Sequence, residues 1–413
     1  MLQKVSVGRK DLNLYRGVVG DELIDEIIDL AKELKGYRFA HINSTPFGGG
    51  VAEILASFIP LLQSVGVDIE WRVIFGDRQF FDITKGFHNG LQGADFSLTK
   101  QVQERYMGNL LFNARQLPHH YDLITINDPQ PAALPYFIPH SKTKWVWRCH
   151  IDMAKPNRQV WDFLRPFIEH YHLAIFTMSA FEPPDLDVAI DIITPAIDIL
   201  STKNMGMPLD FAKKVIANQG VDIHKPLLLQ VSRFDPWKDP MGVVKTYQLI
   251  KQEYKGIQLA FVGSMSQDDP QGWQMFADIS EASLKDPSIY IFTNVTGVGN
   301  LEVNAFQRAS TIILQKSIKE GFGLVVSEAL WKQTPVVAGK AGGIVLQMHH
   351  ELGDYLTETI EETAKKVCHL LKNPGLAQEL GAIGKKQVME HFLMPRMIKQ
   401  ELEAYITLLQ RSR

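Results

Sequence analysis

The 413-residue chain has few of the features that mark specialised protein classes. Its only cysteines, Cys149 and Cys368, lie far apart and without ligand spacing, so the sequence predicts neither a disulfide framework nor a zinc knuckle. We interpret both as reduced thiols of a cytoplasmic protein. No window reaches the ~18 consecutive apolar residues of a membrane span, and the N-terminal MLQKVSVGRKDLNLY lacks the apolar core of a signal peptide.

An excess of charge of one sign is also missing, since 43 Lys and Arg residues face 46 Asp and Glu residues, a net charge of −3. A nucleic-acid partner is therefore not predicted, and a small-molecule partner is favoured. The adjacent pairs His119-His120 and His349-His350 do not have the i, i+4 spacing of a helical metal site, so no metal is predicted. The Walker A loop, the Rossmann fingerprint and the G-x-S-x-G elbow are absent from the sequence.

What the chain does contain is an alternation of short β-type runs with helical patterns, which predicts an α/β protein with parallel sheets. Its length favours two domains, which we place at residues 1–204 and 205–394, with a last helix at about 395–413 that could pack on either half. The predicted strands form two series: 38–43, 68–75, 121–127, 144–149, 173–178 and 189–195, then 226–232, 257–263, 288–294, 310–316 and 334–339.

The segment SIKEGFGLVVSEALW, residues 317–331, sets Glu320 and Glu328 on either side of a strand-to-helix turn. At that edge of a parallel sheet, glycines let the backbone approach a phosphate, and the helix dipole favours its charge. One carboxylate could accept bonds from a hexose and the other from a ribose. The alternative is a solvated loop residue and the polar face of an amphipathic helix.

The segment VSRFDPWKDP, residues 231–240, places Arg233 and Lys238 five positions apart across a proline turn. This spacing lets a guanidinium and an ammonium approach a diphosphate from two sides, where they would stabilise a leaving group. The alternative is a surface loop in which these side chains pair with Asp235 and Asp239.

Two segments of the first half also suggest polar sites. In NSTPFGGGVAE, residues 43–53, a glycine run follows a strand and opens a helix, so its backbone could wrap a phosphate or a sugar, or serve only the turn. In WVWRCHIDM, residues 145–153, Arg148, His150 and Asp152 alternate at a strand end and are predicted to point to one side. The alternatives are a satisfied structural histidine and a helix cap at Asp152.

Taken together, SRFDPWKD, EGFGL with a second Glu eight positions on, GGGVAE, DPQPAAL, VNAFQRAS and RCHID resemble the retaining glycosyltransferases of the GT-B fold. The trehalose glycosyltransferring synthases are the most similar family. The resemblance covers nearly the whole chain, with motifs in the expected order in both halves. It departs from the family pattern after GGIVLQ, where residues 348–357 read MHHELGDYLT in place of a D-G-x-T-G turn.

The resemblance implies two Rossmann-like domains whose parallel sheets face each other across a cleft, with the final helix crossing back to the first domain. It implies catalytic roles for four residues: Glu320 on the transferred glucose, Arg233 and Lys238 on the diphosphate, and His150 at the sugar end. It assigns donor binding to Gly321, Phe322, Gly323, Leu324, Glu328, Gly49 and Gly50. Acceptor binding is assigned to Arg148, Asp152 and Asn43.

The activity implied by the resemblance is reversible transfer of glucose from ADP- or UDP-glucose to glucose, which gives α,α-trehalose with retention by a front-face route. Alternatives are a trehalose phosphorylase, a related transferase with another acceptor, and a sugar-nucleotide sensor without catalysis. The nucleotide sugar is a substrate, so no cofactor is expected, and a dependence on Mg²⁺ is left open. A homodimer is also left open.

Overall fold

The computed structural model describes residues 1–140, 142–265 and 270–410, and the chain divides into two units. Unit 1 comprises Met1–Ala196 together with Met394–Arg413, and unit 2 comprises Ile197–Leu393. The sequence placed the first boundary at residue 204, eight residues later. The difference has a physical reason, because Lys203 and Asn204 pair with side chains of unit 2.

Unit 1 is built on a seven-stranded sheet in the order β1-β3-β2-β4-β5-β6-β7, parallel except for β1. All six strands predicted for this half are confirmed, most with shorter ends, and the two-residue β1 is an addition. The bounds are β1 Gln3–Lys4, β2 Arg38–Asn43, β3 Asp68–Val73, β4 Leu123–Asn127, β5 Lys144–Arg148, β6 Leu173–Phe176 and β7 Ile190–Ile192.

The helices of unit 1 cover both faces of its sheet with apolar stripes. The bounds are α1 Arg16–Val19, α2 Asp21–Glu33, α3 Gly50–Ser64, α4 Arg78–Leu91, α5 Lys100–Gln116 and α6 Arg158–Ile168. Some of their N-termini are capped by side chains: Asp77 accepts a bond from the Phe80 N–H at 2.9 Å at the start of α4, and Thr99 from the Val102 N–H at 3.3 Å at the start of α5.

Unit 2 is built on a six-stranded, fully parallel sheet in the order β10-β9-β8-β11-β12-β13. The five strands predicted for this half are confirmed, whereas β13, in the divergent segment after GGIVLQ, was missed. The bounds are β8 Leu227–Val231, β9 Gln258–Gly263, β10 Ile289–Thr293, β11 Ile312–Gln315, β12 Val336–Gly339 and β13 Leu356–Thr357.

The helices of unit 2 are α7 Leu209–Asn218, α8 Pro240–Glu253, α9 Pro270–Lys285, α10 Asn300–Ala309, α11 Leu324–Trp331, α12 Ile344–Gln347, α13 Ile360–Lys372 and α14 Pro374–His391. Helices α8 to α12 lie between its strands, α7 precedes the first strand, and α13 and α14 follow the last one. The last helix, α15 Met394–Gln410, belongs to unit 1, where it packs on α2. Within the described ranges, no helix combines the length and the apolar character that a bilayer crossing requires.

Both sheets contain a point where the strand order reverses. In unit 1 the chain goes from β2 to β3 on one side and then to β4 on the other, and in unit 2 it goes from β8 to β9 and later to β11. Open α/β sheets bind ligands beyond the carboxyl ends of the strands at such switch points. The fold therefore directs attention to the segments that follow β2, β4, β8 and β11.

Candidate functional site

The switch point of unit 2 brings Lys238 and Glu320 into contact. Lys238 ends the 3-10 turn Pro236–Lys238 after β8, and Glu320 follows β11. The Nζ of Lys238 lies 2.5 Å from Oε2 of Glu320, although 82 positions separate them in the sequence. Their side chains are 19% and 11% exposed. A partly exposed pair leaves two ammonium N–H donors for an anion and one carboxylate oxygen for hydroxyl groups.

Polar side chains at the end of β11 support this pair. Ser317 donates to Oε2 of Glu320 at 3.1 Å, and Gln315 donates through Nε2 to the Ser317 hydroxyl at 3.0 Å. The Nζ of Lys316 lies 3.0 Å from Oδ2 of Asp239. Gln315, Lys316 and Ser317 were not predicted as site residues. Their signal is the sudden change from apolar to polar residues at a strand end.

Arg233 lies in the loop after β8 and is half exposed. Its Nη2 is 3.4 Å from Oδ2 of Asp235, and Asp235 also accepts a bond from the Trp237 N–H at 3.0 Å. This Arg–Asp contact is the arrangement named as the alternative to a diphosphate clamp. A half-exposed guanidinium can still turn to a ligand at little cost, so the diphosphate role of Arg233 stays a prediction.

The turn from Gly321 to Leu324 is shaped by glycine and by a buried glutamine. Gly323 has a φ of 83°, a region that favours glycine. Fully buried Gln347 donates through Nε2 to the carbonyls of Phe322 at 2.5 Å and of Gly323 at 3.3 Å. Gln347 therefore holds two carbonyls of the turn. Gly323 is the N-cap residue of the following helix α11. The turn fits the predicted phosphate loop, and this role stays a prediction.

Glu328 is fully buried on α11, which shows that it is not the solvated helix face named as the alternative. Its Oε1 lies 2.7 Å from Nζ of Lys203, and Gln307 donates to Oε2 at 3.2 Å. Burial by itself would raise the pKa of this carboxyl group, but Lys203 and Lys332 hold the pKa below its ordinary value. A ribose would have to share the carboxylate with Lys203, so the ribose role stays a prediction.

The switch point of unit 1 contains the predicted glycine loop. Gly48 has a φ of 84°, and Gly49, a residue without a side chain, is the N-cap of α3. Asn43 is buried and already bonded at both ends, accepting from Nε1 of Trp71 at 2.7 Å and donating to the Thr45 carbonyl at 2.7 Å. The structure therefore shows Asn43 as a brace for the loop. Its acceptor contact stays a prediction.

His150 lies just beyond β5 and is held by two residues at the end of β4. Its backbone N–H donates to Oδ1 of Asp128 at 2.8 Å, and its Nε2 lies 3.1 Å from Oδ1 of Asn127. Asp128 has a φ of 64°, which is uncommon for a residue other than glycine. Burial, and then the charge of Arg148, lower the pKa of His150 well below its ordinary value. The imidazole is therefore neutral at pH 7.

Contrary to the sequence prediction, Arg148, His150 and Asp152 do not all point to one side. Strand β5 ends at Arg148, so its alternation does not extend to Asp152, which is buried and accepts a bond from the Ala154 N–H at 3.1 Å. Arg148 is 3% exposed and forms an ion pair with Glu401 of α15. Burial lowers the pKa of Arg148 to about 10. Arg148 and His150 do line one small cavity, and Asp152 is not part of its lining.

A buried polar network on α15 explains where Arg148 points. Tyr405 donates to Oε2 of Glu401 at 2.7 Å, and its hydroxyl lies 2.9 Å from Nε2 of His41. Burial, followed by the charge of Arg148, lowers the pKa of His41 to about 3, so this ring stays neutral. The sequence analysis missed Glu401 and Tyr405, because they lie hundreds of positions from their partners. The signal that could have found them is a Glu and a Tyr four positions apart on the buried face of the last helix.

Metal ligation finds no support among the side chains that the structure describes. In residues 1–140, 142–265 and 270–410, no group of three or more His, Cys, Asp or Glu side chains is arranged to hold a metal ion. The expectation that the chain needs no cofactor remains a prediction.

Comparison with known proteins gives matches in both units. A family model described as "Trehalose synthase, N-terminal domain" matches residues 41–183, and "Glycosyl transferases group 1" matches residues 212–387. A trehalose synthase of Rubrobacter xylanophilus is 45% identical over 99% of this chain and 100% of its own length. A trehalose phosphorylase of Pleurotus pulmonarius is 30% identical over 84% of this chain and 54% of its own.

The fold is shared with solved structures of low sequence identity. A sucrose-phosphate synthase of Thermosynechococcus elongatus superposes with a TM-score of 0.70 and 15% identity, over 91% of this chain and 100% of the other. This likeness, the group 1 match and the two parallel sheets show the GT-B fold that the sequence predicted. The chain is a glycosyltransferase and belongs to the trehalose synthase family.

Proposed function

We propose that this protein transfers glucose from a nucleoside diphosphate glucose, ADP- or UDP-glucose, to free glucose and forms α,α-trehalose reversibly. The observation that carries the proposal is the contact between Lys238 and Glu320 at the switch point of unit 2. It puts a cation for a leaving phosphate beside a carboxylate for sugar hydroxyls, and both groups are partly exposed. The family relationship supports trehalose as the product.

In the proposed reaction, the bond between the anomeric carbon and the diphosphate oxygen breaks as the acceptor oxygen attacks from the same face. The acceptor proton passes to the departing phosphate oxygen, so the configuration is retained without a protein nucleophile. Lys238, with Arg233, would stabilise the charge that develops on the diphosphate, and Glu320 would orient the glucose. His150 of unit 1 would contact a sugar hydroxyl.

The deciding experiment is a screen of donors and acceptors with identification of the product. We expect a non-reducing disaccharide from ADP- or UDP-glucose and glucose. Glu320→Ala should lose transfer while its circular dichroism and melting temperature stay close to those of the parent protein. Glu302→Ala is the matched control, because Glu302 caps α10 of the same unit on the surface. Absence of disaccharide with every nucleotide donor would refute the proposal.

A trehalose phosphorylase is the second candidate, favoured by the 30% identical relative. It would cleave trehalose with inorganic phosphate and need no nucleotide. Incubation of the protein with trehalose and phosphate, with and without ADP or UDP, separates the two. Glucose 1-phosphate formed without nucleotide would establish the phosphorylase, and Glu328 would then have no ribose to bind.

Several further expectations accompany the proposal. We expect a cytoplasmic protein that works without a cofactor, and chelation with EDTA tests the open question of Mg²⁺. Light scattering measures the oligomeric state and so tests the open question of a homodimer. Other acceptors, such as sugar phosphates, are covered by the same product screen, and donor binding without turnover of any acceptor would indicate the sensor alternative.

A further inference from the structure

Asn127 has only one amide orientation that its surroundings allow. It is buried at the end of β4, where its Nδ2 lies 3.1 Å from the carbonyl oxygen of Ile42. A carbonyl oxygen can only accept, so the NH₂ group must face it. The Oδ1 of Asn127 therefore faces Nε2 of His150, 3.1 Å away. Because an amide oxygen also only accepts, Nε2 of His150 must carry a proton.

The His150 ring holds a single proton at neutral pH. The charged and titratable groups around it are Arg148 on β5, His41 on β2, Asp128 after β4 and Glu401 on α15. Glu401 is paired with Arg148, and the pKa of His150 is lowered by burial and by Arg148. Since the one proton is on Nε2, the lone pair is on Nδ1.

We propose that Asn127 fixes the Nε2–H tautomer of His150, so that Nδ1 accepts a hydrogen bond from a hydroxyl group of the sugar substrate. Within the part of the chain that the structure describes, Nδ1 has no hydrogen-bond partner. The backbone N–H of His150 is bonded to Asp128 and its Nε2 to Asn127, so both the main chain and the ring are held before a ligand binds. Asn127 is then a positioning residue. The inference rests on the proposed transfer to or from a sugar.

The tautomer can be measured without any substrate. In protein labelled with ¹⁵N in its histidine rings, the couplings between ring nitrogens and carbon-bound protons distinguish Nε2–H from Nδ1–H. The signals of His150 are assigned by their loss in His150→Gln. We expect the Nε2–H pattern between pH 6.5 and 8. An Nδ1–H or a doubly protonated ring would overturn the inference, even if the protein were an active trehalose synthase.

In Asn127→Leu the Nε2–H tautomer of His150 should no longer be fixed, and kcat/KM for transfer should fall about tenfold. The matched control is Asn113→Leu, since Asn113 is an equally buried amide whose bonds within the described ranges go to Phe75 and to its own helix. Both variants are assayed at a temperature where circular dichroism shows them folded. Equal losses in the two variants, or an unchanged His150 pattern in Asn127→Leu, would contradict the positioning role.

The acceptor role of Nδ1 is tested by pairing a variant with deoxy sugars. In His150→Gln the new amide can still donate to Asn127 but offers no acceptor at the Nδ1 position, so kcat/KM should fall about 10- to 100-fold. With the monodeoxy donor or acceptor that lacks the bonded hydroxyl, the variant and the parent should differ less than twofold. If the loss stays full for every monodeoxy substrate, the proposed hydroxyl contact does not exist.

Discussion

In unit 2 the pair Lys238–Glu320 keeps 19% and 11% of its side chains exposed, whereas in unit 1 the pair Arg148–Glu401 keeps 3% and 2%. Both are cation–carboxylate contacts near the carboxyl edge of a parallel sheet. An exposed pair can exchange its partner for a ligand at little cost, but a buried pair that loses one member leaves a charge without solvation. The Lys238–Glu320 pair is therefore suited to bind a ligand, whereas the Arg148–Glu401 pair stabilises the fold.

The largest effect is expected from breaking the buried pair. Glu401→Leu should lower the free energy of unfolding by about 3–5 kcal/mol, because it leaves Arg148 charged and buried without its partner. Denaturant titration followed by circular dichroism measures this change. The double variant Arg148→Met/Glu401→Leu should recover most of the stability, because no charge is then left behind. If the double variant were no more stable than the single one, lost packing of Glu401 would be the better explanation.

The exposed pair should respond in activity and not in stability. Lys238→Met should lower kcat for transfer about 10²- to 10³-fold, the usual effect of removing one group that stabilises developing charge. Steady-state kinetics with saturating donor measures it, and the melting temperature should change by about 2 °C or less.

Lys251→Met is the matched control for Lys238→Met. It breaks another 2.5 Å Lys–carboxylate contact of unit 2, the one with Asp286, which lies away from the switch point. Its kcat should stay within twofold of the parent value. Comparable activity losses in the two lysine variants would mean that Lys238 has no special place in the reaction.

The same contrast explains how much the sequence could predict. The residues of unit 2 lie in short segments that follow predicted strands, so local pattern was enough to select Lys238 and Glu320. In unit 1 the surroundings of Arg148 depend on α15, about 250 positions later in the chain. No local pattern carries that information, so the sequence could not show that the guanidinium of Arg148 pairs with Glu401. Its role in acceptor binding stays a prediction.

The boundaries of the elements show a similar division. Eleven predicted strands are present, and most of them contain the apolar run that is typical of buried parallel strands. The short edge strands β1 and β13 were missed, because two residues are too few to give a pattern. The predicted alternation past Arg148 failed since β5 ends there and Asp152 enters a turn.

The free energy of unfolding of unit 1 should also depend on pH through Asp128. Burial raises the pKa of Asp128 to about 7, and the His150 N–H only partly opposes this. Between the unfolded pKa near 3.8 and about 7, the unfolded chain releases this proton first, so the residue lowers stability as pH rises. Asp128→Asn keeps the acceptor for His150 and tolerates the positive φ. It should be about 4 kcal/mol more stable than the parent at pH 8, and this difference should be lost by pH 4.

Denaturant titrations of both proteins from pH 4 to pH 8 measure this difference. Asp198→Asn is a useful control, because Asp198 is a buried carboxylate in unit 2 that accepts from a backbone N–H, that of Leu200 at 2.8 Å. A difference between Asp128→Asn and the parent that did not vary with pH would show that Asp128 is ionised in the folded protein throughout.

The smallest effect concerns the support of Glu320. Ser317→Ala removes the hydrogen bond that its hydroxyl donates to Oε2 of the Glu320 carboxylate, so we expect a loss of about 1.5 kcal/mol, which is about tenfold in kcat/KM. Ser310→Ala is the control, since its buried hydroxyl bonds only the Phe306 carbonyl at the end of α10. Because Lys238 still holds the carboxylate in Ser317→Ala, a loss near that of Lys238→Met would mean that Ser317 itself contacts the substrate. An unchanged kcat/KM would mean that Lys238 alone is enough to orient Glu320.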